Sequence, residues 1–249
     1  MEKKNIVIFS ITDHNYIYPD ITKLKAKNSQ FIQGVEISSL DTEKDLSLHI
    51  LGYSCDFDIS LLNKELEFTR EGYNKRARNI IKKLNSEYES LGLDFYKIMT
   101  DKKTIVSRND IAMEFLKRTE TNMTFKEATL LAYSEDDENF MLTPKEAVDL
   151  IIKCGGVPVL AHPGRILQSQ KINLEDLVKE LKSAGLKGIE AYYSSHADEE
   201  ENKLKYICEK YGLAITCGND WHGPNFTPNK KIGRNINKEE LKRFLEILK

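Results

Sequence analysis

"TPKEAVDLIIKCGGVPVLAHPGR", Thr143–Arg165, reads as one helix feeding one strand. Thr143 can cap the first turn, Pro144 sits where a helix has no N–H to lose, and Glu146 is placed to close a capping box. Gly155 and Gly156 stop the helix. The short apolar run "VPVLA" that follows has strand length and ends on His162. A buried strand that terminates in an imidazole is the pattern from which the rest of the chain can be read.

The same plan repeats on the C-terminal side. "NLEDLVKELKSAGLKG" opens on Asn173 as a cap and stops at Gly185, and "KGIEAYY" follows as a strand. "HADEEENKLKYICEKYG" places acids first and lysines last, as the helix dipole favours, and leads into "LAITCGN". On the N-terminal side, "NIVIFSI", "FIQGVEIS" and "SLHILGY" have strand length and are rich in β-branched and aromatic residues. Strand, helix, strand at this spacing predicts an α/β chain with a parallel sheet and right-handed crossovers, most economically a barrel.

Between residues 59 and 139 the pattern changes to charged helix. Leu62, Leu66, Tyr73, Ala77, Ile80 and Leu84 fall on one face at helical spacings, three, four or seven apart. This predicts a helical insert over the barrel mouth, flanked by barrel segments 1–58 and 140–249, with no Pro/Gly/Ser-rich linker at either edge.

Composition narrows the function. The chain has 249 residues, 40% of them hydrophobic, enough for a sizeable core. Lys+Arg 37 against Asp+Glu 39 gives a formal net charge of -2, so no global basic field is available to hold duplex DNA. The first apolar run is interrupted by Ser10 and Asp13, which fits neither a signal peptide nor a membrane span, and the chain reads as cytoplasmic. The cysteines Cys55, Cys154, Cys208 and Cys217 show no close pairing, so neither disulfides nor a Cys-rich zinc site is expected.

The chemistry gathers at strand ends. Asp13 and His14 end the first strand, Glu36 interrupts the second, His49 lies in "SLHILGY", His162 ends "VPVLA", Glu190 lies in "KGIEAYY", and Asp220 and His222 follow "LAITCGN". Four of the five histidines are in these places. Parallel barrels build their sites at the carboxyl ends of strands, and carboxylates converging there with imidazoles suit Zn, Mn or Fe. Asp220 and His222, two apart in extended chain, point the same way. Asp13 and His14 point apart, so His14 is the expected ligand, with Asp13 orienting it or binding secondarily.

"ITDHN", "GVEIS", "LHILGYS", "SRNDIA", "GGVPVLAHPGR", "GIEAYYSSH" and "GNDWHG", in that order, resemble the PHP family, named for polymerase and histidinol phosphatase domains. The likeness is to its stand-alone phosphoesterases, such as nucleoside bisphosphate phosphatases and small exoribonucleases. It implies a distorted (β/α)7 barrel of TIM-like type holding two or three divalent ions (Mn, Zn or Fe). By that resemblance Glu36 bridges two ions, His49 and His162 complete one centre, His14 and His222 serve another, and Asp220 binds the remaining ion. It implies a phosphoesterase acting through a metal-activated water on a small phosphorylated substrate, a nucleotide or short oligonucleotide. Asp13, Arg108 and Arg165 are the catalytic candidates. Arg108, Arg165 and His196 are the candidate substrate contacts, since a guanidinium offers two parallel donors to phosphate.

The family usually opens with a strand bearing H-x-H, and here that first strand and its two ligands are absent. Fewer ions are expected if that loss removes a centre. Asp110 also stands where the family tends to have His, and Asn219 where it has Ser. Either the protein begins upstream of Met1, or it holds a reduced site in a barrel closed differently. In the second case an exposed edge could be covered by a second copy, giving a homo-oligomer. Two other functional classes remain: a protein that binds metal or nucleotide without turnover, and a barrel hydrolase acting on amides. The last usually needs an H-x-H strand and often a bridging lysine.

Overall fold

The computed structural model describes residues 6–24, 26–100, 103–133, 139–169, 172–223, 226–227 and 230–248. Two compact units emerge. One comprises 1–65 with 142–249, and the other 66–141.

The first unit is built on a six-stranded sheet whose spatial order follows the chain: β1 (Ile8–Ile11), β2 (Gln30–Asp41), β3 (Leu46–Ser54), β4 (Val157–Leu160), β5 (Gly188–Tyr193) and β6 (Ala214–Gly218). Each strand lies on an apolar run read from the sequence. The directions differ from expectation: β1/β2, β4/β5 and β5/β6 are parallel, but β3 runs antiparallel to both β2 and β4. The cause is the connection. Only residues 42–45 join β2 to β3, which suffices for a hairpin and is far too short for a parallel crossover.

The sheet curls into a half-barrel. β1 and β6 stand at opposite ends of its order, yet the rings of His14 and His222, just beyond their C-terminal ends, stack with centroids 5.8 Å apart. The concave face carries Ile32, Leu51, Tyr53, Val159, Ala161 and Ala214, all buried in one cluster. The spacing by two of Leu51 and Tyr53 on β3, and of Val159 on β4 and Ala161 just after it, puts each pair on one side of the pleat.

The helices of the first unit are α1 (Ile59–Glu65) and those that follow residue 141. In the second unit α2 (Glu67–Glu87), α3 (Phe95–Ile98), α4 (Arg108–Arg118) and α5 (Phe125–Leu131) enclose their own core of Ile80, Leu84, Phe95, Ile111 and Phe115. Both α4 and α5 start with capping boxes, Ser107/Asp110 and Thr124/Glu127. α6 (Pro144–Lys153) has the predicted Thr143/Glu146 box and buries Ala147, Val148 and Ile151 against β2, β3 and β4. α7 (Gly164–Ser169) follows β4. α8 (Leu174–Ala184) starts on Asn173 and ends on Gly185, whose φ of 113° is the left-handed conformation a helix stop needs. α9 (Asp198–Tyr211) packs on β5 and β6, and α10 (Lys238–Ile247) closes the described chain. No helix among the described residues is long and apolar enough to cross a membrane.

α10 places Phe244 against the concave face, its ring 5.4 Å from that of Tyr53 and nearly perpendicular to it. A half-barrel without such a plug would expose the apolar floor of the site. Phe244→Ala should therefore cost about 3 kcal/mol, the low end for a buried Phe, as measured by urea unfolding.

Candidate metal centre

Every strand-end residue singled out in the sequence except Asp13 belongs to one chain of contacts centred on Glu36. Glu36 is on β2 and 5% exposed, with its side chain on the concave face. Its Oε1 lies 2.5 Å from His49 Nδ1 and 3.2 Å from His162 Nε2. His14 bridges to Glu36 in the ladder, and donor atoms of His14, Glu36 and His49 all lie within 4.8 Å of one another. The rings follow in sequence, His14–His49 at 5.1 Å and His49–His162 at 5.2 Å between centroids.

The reversed strand explains how His49 takes part. Because β3 runs against its neighbours, its first residues lie at the end where β2 and β4 finish, and His49 is registered opposite Ser38. A parallel β3 would have carried His49 toward the other end.

Asn15 was not picked out from the sequence, and it fixes His14. It is buried with φ 55°, donates its N–H to Glu36 O at 2.9 Å, and accepts from Ser38 N at 3.0 Å through Oδ1. Asn tolerates this left-handed turn better than most residues, which was the available signal in "DHN". Ser38 Oγ is also 3.3 Å from His14 Nδ1.

On the far side of His162, Glu190 accepts the His162 N–H at 3.0 Å, holding a residue whose φ is 30°. Burial pushes the Glu190 carboxyl up to about 7, although His162 pulls it down. Gly218 faces it from β6, where an added methyl would collide with Glu190 Oε1. Asp220 and His222 follow β6. Asp220 Oδ1 is 2.6 Å from His222 Nε2, and Tyr193 donates its hydroxyl to Asp220 Oδ2 at 2.9 Å.

The electrostatics follow from burying these charges together. Burial alone would raise the Glu36 carboxyl, but His14, His49 and the bonds from His162 and His49 hold it well below the usual range. Burial pushes His14 down. Burial pushes His162 down, but its bond to Glu36 and the charges of Glu36, Glu190 and Asp220 together raise it, and His222 goes up because of its bond to Asp220.

Asp13, beside His14, keeps surface open to solvent; the protein around its carboxyl raises it while the nearby His222 lowers it. His196 has both nitrogens on backbone, Nδ1 2.9 Å from Ala191 O and Nε2 accepting from Gly164 N at 3.0 Å, so a substrate contact would have to displace one of these. Arg108 begins α4 in the second unit, its guanidinium 4.1 Å from the Tyr133 ring centroid. Asp110 is the capping-box residue of α4 and pairs with Lys103, which gives this departure from the family pattern a local structural role. Arg165 lies in α7, and its side chain is outside the described residues.

A buried carboxylate flanked by imidazoles from three separate segments fits a divalent cation by its donor chemistry, two or three neutral nitrogens with a charged oxygen. Metal uptake must displace protons from these ligands. Because His162 is raised above its ordinary value in the metal-free protein, Mn2+ affinity should rise with pH through the range where His162 deprotonates and be lost as it protonates. Titration calorimetry at pH 5.5, 6.5 and 7.5 should show this, with a flatter profile for His162→Gln.

No protein-family profile matches the chain. It is similar to a 3',5'-nucleoside bisphosphate phosphatase of Chromobacterium violaceum, 26% identical over 197 residues, 78% of this chain and 68% of that protein. A phosphoribosyl 1,2-cyclic phosphate 1,2-diphosphodiesterase of Eggerthella lenta is 24% identical over 205 residues (78% and 73%), and the 5'-3' exoribonuclease Rnm of Escherichia coli 24% over 220 (82% and 69%). Two solved structures share the fold. One, called an amidohydrolase, is from Chromobacterium violaceum, with TM-score 0.74 and 23% identity over 95% of this chain and 86% of that one. The other, assigned as a metal-dependent phosphoesterase, is from Bifidobacterium adolescentis, with TM-score 0.71 and 20% identity over 87% and 76%. These relatives fit the PHP family that the ordered motifs resemble.

Proposed function

We infer that this chain is a metal-dependent phosphoesterase of the PHP kind, hydrolysing phosphate esters of nucleotides or short oligonucleotides. The observation that carries the reading is the His14/Glu36/His49 cluster at the mouth of the half-barrel, in a chain whose three curated relatives all cleave phosphoric esters by name. His14, Glu36, His49 and His162 would hold the principal ion or ions, with Asp220 and His222 beside them. A divalent ion bound there supplies Lewis acidity toward water and the phosphoryl oxygens.

The chain's own residues do the rest. Glu36 supplies the fixed negative charge, and its low-lying carboxyl stays ionised throughout the neutral range. Asn15 and Ser38 orient His14. Glu190 pins the His162 backbone, and Asp13 stands exposed at the mouth, where it can accept a proton from water. Arg108 and Arg165 are our candidates for gripping phosphate. The curled edges β1 and β6 are where one further strand would complete a (β/α)7 barrel.

An amidase reading has less behind it. The structure bearing that name is 23% identical and supports the fold alone. A binding protein without turnover is disfavoured by the relatives, all of them named as enzymes.

Protein loaded with Mn2+ should release phosphate from a nucleoside 3',5'-bisphosphate or shorten a 5'-phosphorylated oligonucleotide, and chelation should abolish this. Glu36→Gln and His49→Ala should each lower kcat/KM on the order of 100-fold or more, since metal-site partners alone are worth 10–100-fold. Intact substrates of every kind in the presence of bound metal would overturn the reading.

A further inference from the structure

The Asp220 corner of the site contains a cation of the chain's own. Lys230 Nζ lies 3.1 Å from the Asp220 backbone oxygen, 3.3 Å from the Tyr193 hydroxyl and 3.5 Å from Asp220 Oδ2. It also lies 5.0 Å from the Tyr193 ring centroid. Carbonyl, phenol and carboxylate oxygens are the donors a hard cation takes, with His222 Nε2 adjoining on the other carboxylate oxygen.

The placement is built by the segment after β6. Asn219 Oδ1 accepts the Gly233 N–H at 2.9 Å, drawing residue 233 back to the strand end. Thr227 ties the middle, accepting the His222 N–H through Oγ1 at 3.0 Å, and the Lys230 N–H donates to Thr227 O at 3.2 Å. Asp220 and Lys230 are ten positions apart in sequence and face each other because these bonds close the loop between them. The lysine side chain is 22% exposed and that of Asp220 17%, so the pair is not a solvated surface contact.

We propose that Lys230 supplies the positive charge of the Asp220 corner, its ammonium standing in the oxygen cage where a further divalent ion would otherwise bind. This deepens the phosphoesterase reading and rests on it for what the corner does: a fixed ammonium beside His222 can neutralise phosphoryl charge as a point cation. The ligands also fall into two groups. Among the described residues the cluster of three potential metal ligands is His14/Glu36/His49, while Asp220 and His222 form only a pair outside it.

The test is the number of Mn2+ ions bound at saturation, by calorimetry and elemental analysis, in wild type, Lys230→Met, Lys230→Gln and Lys230→Arg, with circular dichroism confirming the fold of each. Both neutral variants should bind one ion more than wild type, while Lys230→Arg keeps the wild-type number. An unchanged number in a folded neutral variant would overturn the proposal. The wild-type number reports separately on the parent reading, because a wild type that binds no Mn2+ sinks that reading while the difference between variants still decides the role of Lys230.

Discussion

A carboxylate removed from water must be met by partners, and Glu36 is the group on which this arrangement turns. An isolated buried carboxylate costs several kcal/mol, and the ordinary remedies are protonation or close opposite charge. Glu36 takes the second. Three imidazoles from three different segments converge on it, and two are held in turn by groups that are not ligands: His14 by Ser38 with Asn15 behind it, and His162 by Glu190. The supporting shell gives the donors a fixed spacing before any ion arrives, which is the condition for a site that binds metal without reorganising.

The reversed β3 is what makes the convergence possible. In a uniformly parallel sheet, donors come from strand ends and the loops beyond them. Here one strand enters the mouth by its beginning, so His49 and Glu36 face each other from within regular ladder, where neighbouring strands fix their positions more tightly than a loop would. The hairpin that turns the strand round is thus as much a part of the site as any ligand.

The strands, the Thr143 and Asn173 caps and the Gly185 stop were legible in the sequence because each depends on local periodicity or on one residue's conformational preference. Strand direction was legible in principle, since residues 42–45 are too few for a crossover, but alternation of strand and helix elsewhere in the chain outweighed that local signal. His14, Glu36, His49 and His162 could be named because carboxylates and imidazoles are rare in apolar runs. Lys230 could not. Lysines are common on surfaces, and only the closure of the loop through Asn219 and Gly233 singles this one out. Asp110, noted only as a departure from the family pattern, closes the cap of α4, and its place three residues after Ser107 was the local signal for that.

The stacking of His14 on His222 joins the two edges of an otherwise open sheet. It acts as a clasp, and the spacing of the donors becomes a measure of how tightly the sheet is bent. Side chains on the concave floor, such as Ala214 and Leu51, pack inside that bend. Changes in their bulk would alter the reach between His14 and His222 as a tightened or loosened bow alters the distance between its tips, so curvature itself is a variable through which evolution can tune which ion the mouth accepts.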